Sequence, residues 1–412
     1  MDELLNQERE ARSQNDQERM IIVYKKIMEN CKSDIERIQI CKLLGKRKGL
    51  IKPAFKNLIS YLIEIFTNQT SSKEILIDLL EKFLSEVING KIFLEEERIC
   101  VTNLLKKTYE SKKAYLSALN SILIPIETFS TVQEKSIIEY QLEQLRLSNF
   151  VQDWIKGDII IKKIRMRYFK ETNDLELERL FYQRANDFYI GQEKFLEVSE
   201  KFRLLKNFKN ELGTVNFKIN FDKENYENDE SRKYKMENVI LSSFFCIIAL
   251  YENERENFYK RREILLKSNL EDDYNLIEIK EILKIFLSSD IITYENLKNI
   301  FKIFPFANIY NEKIINSINE HNFFVVQKYF KTISLNQLSS IINMSVEECV
   351  SKICFMVNNN LIDCKIDQRK EMVQFKIPKV EWKESVGCVL NRLVKANYLI
   401  HNEIIENEEE SQ

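Results

Sequence analysis

Apolar positions recur along this chain with the 3.6-residue period of helices that bury one face. Ile21, Tyr24, Met28 and Cys31 fall on one stripe. From Ile75 to Ile88 the pairs Ile75/Leu76, Leu79/Leu80, Phe83/Leu84 and Val87/Ile88 step by four, a band wide enough to lie between two neighbours. Ile138, Leu142 and Leu145 repeat the spacing, as do Phe181, Ala185 and Phe188. Short polar breaks fall at Asn68–Ser72, Asn89–Gly90, Thr128–Thr131 and Lys170–Asp174. The class this predicts is all-α. Antiparallel helix pairs joined by such turns predict a right-handed α-solenoid over residues 1–208. No strict repeat motif is visible, so an irregular helical bundle is the alternative.

Residues 209–237, which contain FDKENYENDESRKYK, lack an apolar stripe and predict an exposed polar loop or insertion. Helical pattern resumes over 238–331. Its first run, VILSSFFCIIALY (Val239–Tyr251), is too short to span a bilayer and predicts a buried helix.

The pattern then changes. Thr332–Ser334 predicts a short strand, Leu335–Ile342 a helix, and Val346–Asn359 a second helix with Val346, Val350, Ile353 and Val357 inward. Ile362, Cys364 and Ile366 alternate with Asp363, Lys365 and Asp367; Val373, Phe375 and Ile377 alternate with Gln374 and Lys376. Period-two alternation on both sides of a polar QRKE turn is a β-hairpin. Two helices and a hairpin over 332–377 make a winged helix. Residues 378–412 predict one long terminal helix. In it Trp382, Val386, Val389, Leu393, Ala396 and Ile400 are spaced 4, 3, 4, 3 and 4, the seam of a coiled coil. Leu390, Val394 and Leu399 widen that face beyond the needs of one partner, which favours a multi-helix bundle. The final ENEEESQ is expected to fray.

Composition narrows the chemistry. Only 7 Gly and 4 Pro in 412 residues exclude Gly-rich phosphate loops and hairpin-rich β architectures almost everywhere. Apolar residues at 44% and charged residues at 31% supply a sizeable core and a solvated surface. A net charge of −2 gives no bulk reason to seek nucleic acid or an anionic membrane. The eight cysteines (Cys31, Cys41, Cys100, Cys246, Cys349, Cys354, Cys364, Cys388) form no CxxC pair and are expected to be free, buried thiols in a reducing compartment. The start, MDELLNQERE, is charged and helical, unlike a signal or transit peptide. A soluble intracellular protein is expected.

The stretch SLNQLSSIINMSVEECVSKI (Ser334–Ile353) is a helix-turn-helix, a unit that often reads DNA. Here Glu347 and Glu348 stand where phosphates would lie. Across Thr332–Ile377, Lys352, Lys365, Arg369, Lys370 and Lys376 are balanced by Glu347, Glu348, Asp363, Asp367 and Glu371. A reader of DNA neutralises several phosphates, so a nucleic-acid partner is disfavoured. The two glutamates suit the dipole of a helix start instead. The winged helix is therefore expected to contact protein. An open edge on its last strand, at Met372, Val373, Gln374 and Phe375, is the expected place for strand addition.

No catalytic, cofactor-binding or metal site is expected. His321 and His401 stand alone, and no His-x-His, Walker lysine loop, GxGxxG or GxSxG motif occurs. His321 is expected at the surface or as a cap, and the acidic LEEE of Leu94–Glu97 as a solvated helix face. The run Lys46, Arg47, Lys48, with Lys52 beyond, has two readings. It is a solvated helix end favoured by the dipole, or a docking point for an acidic neighbour.

Solenoid helices leading into a neutral winged helix and a terminal helix resemble the PCI-domain proteins of the proteasome lid, the COP9 signalosome and translation initiation factor three. The likeness to the lid members is carried by GKRKGLIKPAFKNLI (Gly45–Ile59), GKIFLEEERICVTNLLKK (Gly90–Lys107), EKSIIEYQLEQLRLS (Glu134–Ser148), HNFFVVQKYFKTISLNQLSSIINMSVEE (His321–Glu348) and LVKANYLIHNEIIEN (Leu393–Asn407). These stretches keep their order. The chain departs at Tyr294–His321, which is shorter than in the family, and at Lys209–Glu237, which does not match. The resemblance implies a non-catalytic scaffold of the 26S proteasome regulatory-particle lid, needed for lid assembly and ubiquitin-dependent proteolysis, in cytoplasm and nucleus. It implies a hetero-oligomer with other PCI lid subunits, the lid deubiquitinase subunit, and proteasome ATPases and core-particle subunits, without cofactor, membrane or nucleic acid. The signalosome's fourth subunit is the rival within the group; a nucleic-acid-binding winged-helix protein is the rival outside it.

Overall fold

The structure, a computed structural model, describes residues 2–69, 72–206, 208, 230–250, 256–271 and 276–376. These residues are mostly helical, with one three-stranded sheet late in the chain. The chain divides into two compact units: Met1–Gly213 with Tyr226–Ser242, and Thr214–Asn225 with Ser243–Gln412.

In the first unit successive helices pack on one another. Asp2–Ser13 meets Gln17–Glu29, Glu95–Ser111 meets Tyr115–Ile122, and the latter meets Glu134–Val151. Leu175–Gly191 packs on both Glu134–Val151 and Phe195–Leu205. Short side chains set the starts: Asp16, Ser33, Asp153 and Asp174 each accept from the backbone N–H three residues on. Gln152 and Asn173, both left-handed, end the helices before them. Ile138, Leu142, Leu145, Phe181, Ala185 and Phe188 are buried, as their spacing predicts.

Two stripes hold along most of their length and depart only at their first residues. Helix Gln17–Glu29 buries Met20, Val23, Tyr24, Ile27 and Met28, leaving Ile21 half-buried. Helix Lys73–Phe83 buries Ile77 and exposes Ile75. A π turn at Leu84–Ile88 follows, with Val87 and Ile88 buried as their four-residue spacing predicts.

Helix Trp154–Lys163 approaches Leu175–Gly191 through Gly157. A Cβ there would overlap the wholly buried ring of Phe188. Gly157→Val should therefore lower the stability of this unit by about 2–3 kcal/mol, the cost of overpacking a full core. Urea denaturation checks it; an unchanged midpoint would mean that the two helices can move apart freely.

The predicted buried helix extends further back than the apolar run. Helix Glu230–Ile248 begins inside the stretch expected to be a loop, with Tyr234 and Met236 buried. Those two side chains anchor turns that the surrounding charges mask in the sequence. Residues 209–229 lie outside the described residues. From Asn238 to Ala249 every residue is buried, which explains an apolar run without a polar face.

The winged helix is in place, with strand β1 (Thr332–Ser334), helices Leu335–Ile342 and Val346–Asn358, and strands β2 (Cys364–Asp367) and β3 (Met372–Phe375). Its core gathers Leu338, Ile342, Cys349, Ile353, Met356, Val373 and Phe375. The inward face of the second helix thus runs through Cys349, Ile353 and Met356, with Val346, Val350 and Val357 half-buried at its sides. The sheet order is β1-β3-β2, both pairs antiparallel. β3 is consequently the central strand, and Met372, Val373, Gln374 and Phe375 offer no free edge. The hairpin pairs one side of β3, and β1, only three residues long, closes the other.

Candidate interaction surfaces

The free edges of the sheet belong to β1 and β2 among the described residues. Phe375 N–H donates to the Lys331 carbonyl and Lys376 N–H to that of Asp363, which fixes which way each peptide faces. By antiparallel alternation, Lys365 and Asp367 bond to β3, while the N–H and C=O groups of Cys364 and Ile366 face outward. This two-residue edge is what a neighbour's strand can use.

The capping groups and the cation of the winged helix's second helix are engaged within the chain. Ser345 and Glu348 form a capping box, and its hydrogen bonds to Ser345 hold the Glu348 carboxyl below its usual range. Lys352, the cation of this helix, turns inward to Glu320, whose side chain is wholly buried, at 2.8 Å. The outward face carries Glu347, Glu348, Ser351, Cys354 and Phe355.

The basic run lies on the turn after helix Asp34–Leu44. Arg47 pairs with the buried carboxylate of Glu8, which also meets Arg12 at 3.7 Å. Arg12 donates to the Lys48 carbonyl at 3.0 Å. Lys46, Lys48 and Lys52 are exposed and make no ion pair among the described residues; Lys52 sits 5.7 Å from the Phe93 ring centroid. The structure adds a cation that the sequence left far away. Lys91 lies against Gly45, 4.9 Å over the ring of Phe55, and burial together with nearby Lys46 holds its pKa below the lysine range.

Other sequence candidates turn out to be structural. His321 is buried rather than exposed: Nε2 donates to the Asp290 carbonyl at 3.0 Å, Phe286 meets the ring edge-on, and burial pushes its pKa down to about 4. The LEEE segment is not a solvated face, since Glu95 and Glu97 are both buried. Glu95 Oε2 accepts from Ser130 N, Thr131 N and Thr131 Oγ1 at 2.8–2.9 Å. Burial opposes its ionisation, yet these donors hold its pKa below normal. Cys31, Cys41, Cys246 and Cys349 are buried, but Cys100 and Cys354 are exposed and Cys364 is half-buried; none is in a disulfide among the described residues. Among the described residues no cluster of His, Cys, Asp and Glu is arranged to hold a metal, and no helix is long and apolar enough to cross a membrane. The seam residues Trp382, Val386, Val389, Leu393, Ala396 and Ile400 lie outside the described residues, as do Ile377, Cys388 and His401.

Two family models match the chain. The PCI domain matches residues 266–377, ending where the winged helix does. The model described as PSMD12/CSN4, N-terminal matches residues 1–210, more than half the chain. The chain belongs to the PSMD12/CSN4 family. It is a PSMD12/RPN5 homologue carrying a PCI domain. It is 25% identical to 26S proteasome non-ATPase regulatory subunit 12 homolog A of Arabidopsis thaliana, over 87% of this chain and 85% of that one. The 26S proteasome regulatory subunit rpn501 of Schizosaccharomyces pombe is 23% identical over 88% and 81%. The 26S proteasome regulatory subunit RPN5 of Saccharomyces cerevisiae is 22% identical over 88% and 80%.

Proposed function

We propose that this chain is a non-catalytic scaffold subunit of the 26S proteasome regulatory-particle lid, needed for lid assembly and thereby for ubiquitin-dependent degradation in cytoplasm and nucleus. The observation that carries the reading is its match along most of both chains to relatives named as 26S proteasome subunits. The family description also names a signalosome-type member, so the signalosome's fourth subunit is the alternative. The expected partners are the other PCI lid subunits and the lid deubiquitinase subunit, with proteasome ATPases and core-particle subunits beyond them. Affinity purification of the tagged chain with mass spectrometry tests this. Proteasome ATPases and core subunits among the partners support it; a set of signalosome subunits overturns it.

The winged helix would join a neighbour through the β2 edge. Ile366→Pro removes an N–H that faces away from β3, so the sheet keeps its internal bonds while the edge loses a donor. Incorporation into the lid should fall at least about tenfold, the equivalent of ~1.4 kcal/mol. Co-purification measures this, with the thermal midpoint of the free variant as control. Normal incorporation would show that neighbours do not use this edge.

A further inference from the structure

We propose that the turn between helices Asp34–Leu44 and Lys52–Gln69, which carries exposed Lys46, Lys48 and Lys52 and receives Lys91 at Gly45, with Leu43 and Ile92 exposed next to it in the chain, docks an acidic segment of a partner protein that carries an aliphatic anchor. The inference rests on this surface and stands whichever assembly takes the chain.

Three parts of the sequence meet here. The turn contributes Lys46, Arg47 and Lys48, and the next helix opens with Lys52. The 89–92 turn brings Lys91 against Gly45, where an added Cβ would push the Lys91 ammonium aside. Arg12 joins from the first helix through the Lys48 carbonyl. Glu8 pairs with Arg12 and Arg47, whereas Lys46, Lys48 and Lys52 are exposed and make no ion pair among the described residues. Clustered like charge works against the free chain, and an incoming carboxylate relieves it.

The apolar neighbours decide the class of occupant. Leu43 is 65% exposed and Ile92 67%, and the two flank the cations in sequence. Phosphates have no use for aliphatic contacts. A single-stranded nucleic acid would use aromatic faces for its bases, but Phe55 is buried under Lys91 and Phe93 is half-buried with Lys52 over it. An acidic polypeptide with a leucine or isoleucine uses both halves of the surface.

The test compares the purified full-length chain with the assembly isolated through it. Sulfo-NHS-acetate should acetylate Lys46, Lys48 and Lys52 at least about fivefold more slowly in the assembly, as expected where a partner covers ammonium groups. Carbodiimide should cross-link these lysines to aspartate or glutamate in a partner segment holding an aliphatic residue within about one helical turn. Lys46→Glu with Lys52→Glu should weaken that partner's binding at least about tenfold. Leu43→Ser with Ile92→Ser, which leaves the charge unchanged, should weaken it as well. All four positions are exposed, and thermal midpoints verify that the variants fold. Equal acetylation rates, absence of cross-links, indifference to the Leu43/Ile92 variant, or protection abolished by nuclease would each overturn the proposal. The subunit composition of the assembly reports separately on the proteasome reading.

Discussion

Arg262→Leu is expected to destabilise the second unit by about 3–5 kcal/mol, the range for stripping a buried charged group from its partners. Arg262 is only 1% exposed. Its Nε donates to the Cys246 carbonyl at 3.2 Å, and its Nη2 to the Ile247 carbonyl and Ser317 Oγ, both at 3.0 Å. Cys246 and Ile247 end a helix, where carbonyls have no donor one turn on. The guanidinium thus supplies the donors that the backbone lacks and places a cation at the negative end of the helix dipole. It also lies 5.7 Å from the ring centroid of Phe286. Replacing both sides of a buried polar pair by apolar groups can be harmless, but leucine leaves the carbonyls behind. Arg262→Lys should recover only part of the loss, because one ammonium cannot span the fork. Hydrogen exchange of helix Asn311–Tyr329 under mild urea measures this. Protection should fall there and stay unchanged in Glu134–Val151 of the first unit. Unchanged protection in both would mean that water replaces the guanidinium at no cost.

The contrast between Arg262 and the helices around it shows what a single sequence can carry. Helix positions follow from local spacing, so the 3.6-residue rows and the polar breaks were legible. The winged helix was legible too, because its two helices and hairpin each have their own period. The ends of a stripe were less secure: Leu79, Leu80, Phe83, Val87 and Ile88 are buried as their spacing predicts, but at the first turn Ile77 is buried and Ile75 is exposed. Strand order was not legible. Alternation tells which face a residue takes but not which strand lies beside it, and β1 is too short to announce a pairing with β3. Buried charge was hidden for a related reason. Glu8 is answered by Arg47 and Arg12, Glu95 by Ser130 and Thr131, and Glu320 by Lys352, all but Arg12 more than thirty residues away. Such residues look like solvated surface until the fold brings their partners. The basic run was visible in the sequence, whereas Lys91, more than forty residues on, gave no sign that it lies against Gly45.

Val389→Asp with Leu393→Asp is expected to abolish entry into the assembly while leaving the thermal midpoint of the free chain nearly unchanged. Both residues belong to the seam Trp382, Val386, Val389, Leu393, Ala396 and Ile400, whose spacing alternates between four and three. Each offers about 1.5–3 kcal/mol when fully buried, and their separation of four in the sequence is the spacing that one helical face requires. Together they account for roughly 3–6 kcal/mol if additive, equivalent to at least about a hundredfold in a binding constant. Aspartate adds the cost of desolvating a carboxylate against apolar partners. The helical core of the first unit is distant in sequence and should not register the change. Co-purification of lid subunits with the double variant, beside thermal denaturation of the isolated chain, separates the two effects. A steep fall in the midpoint of the free variant would show that the seam packs on its own chain, and a role in joining subunits would then have to be sought elsewhere.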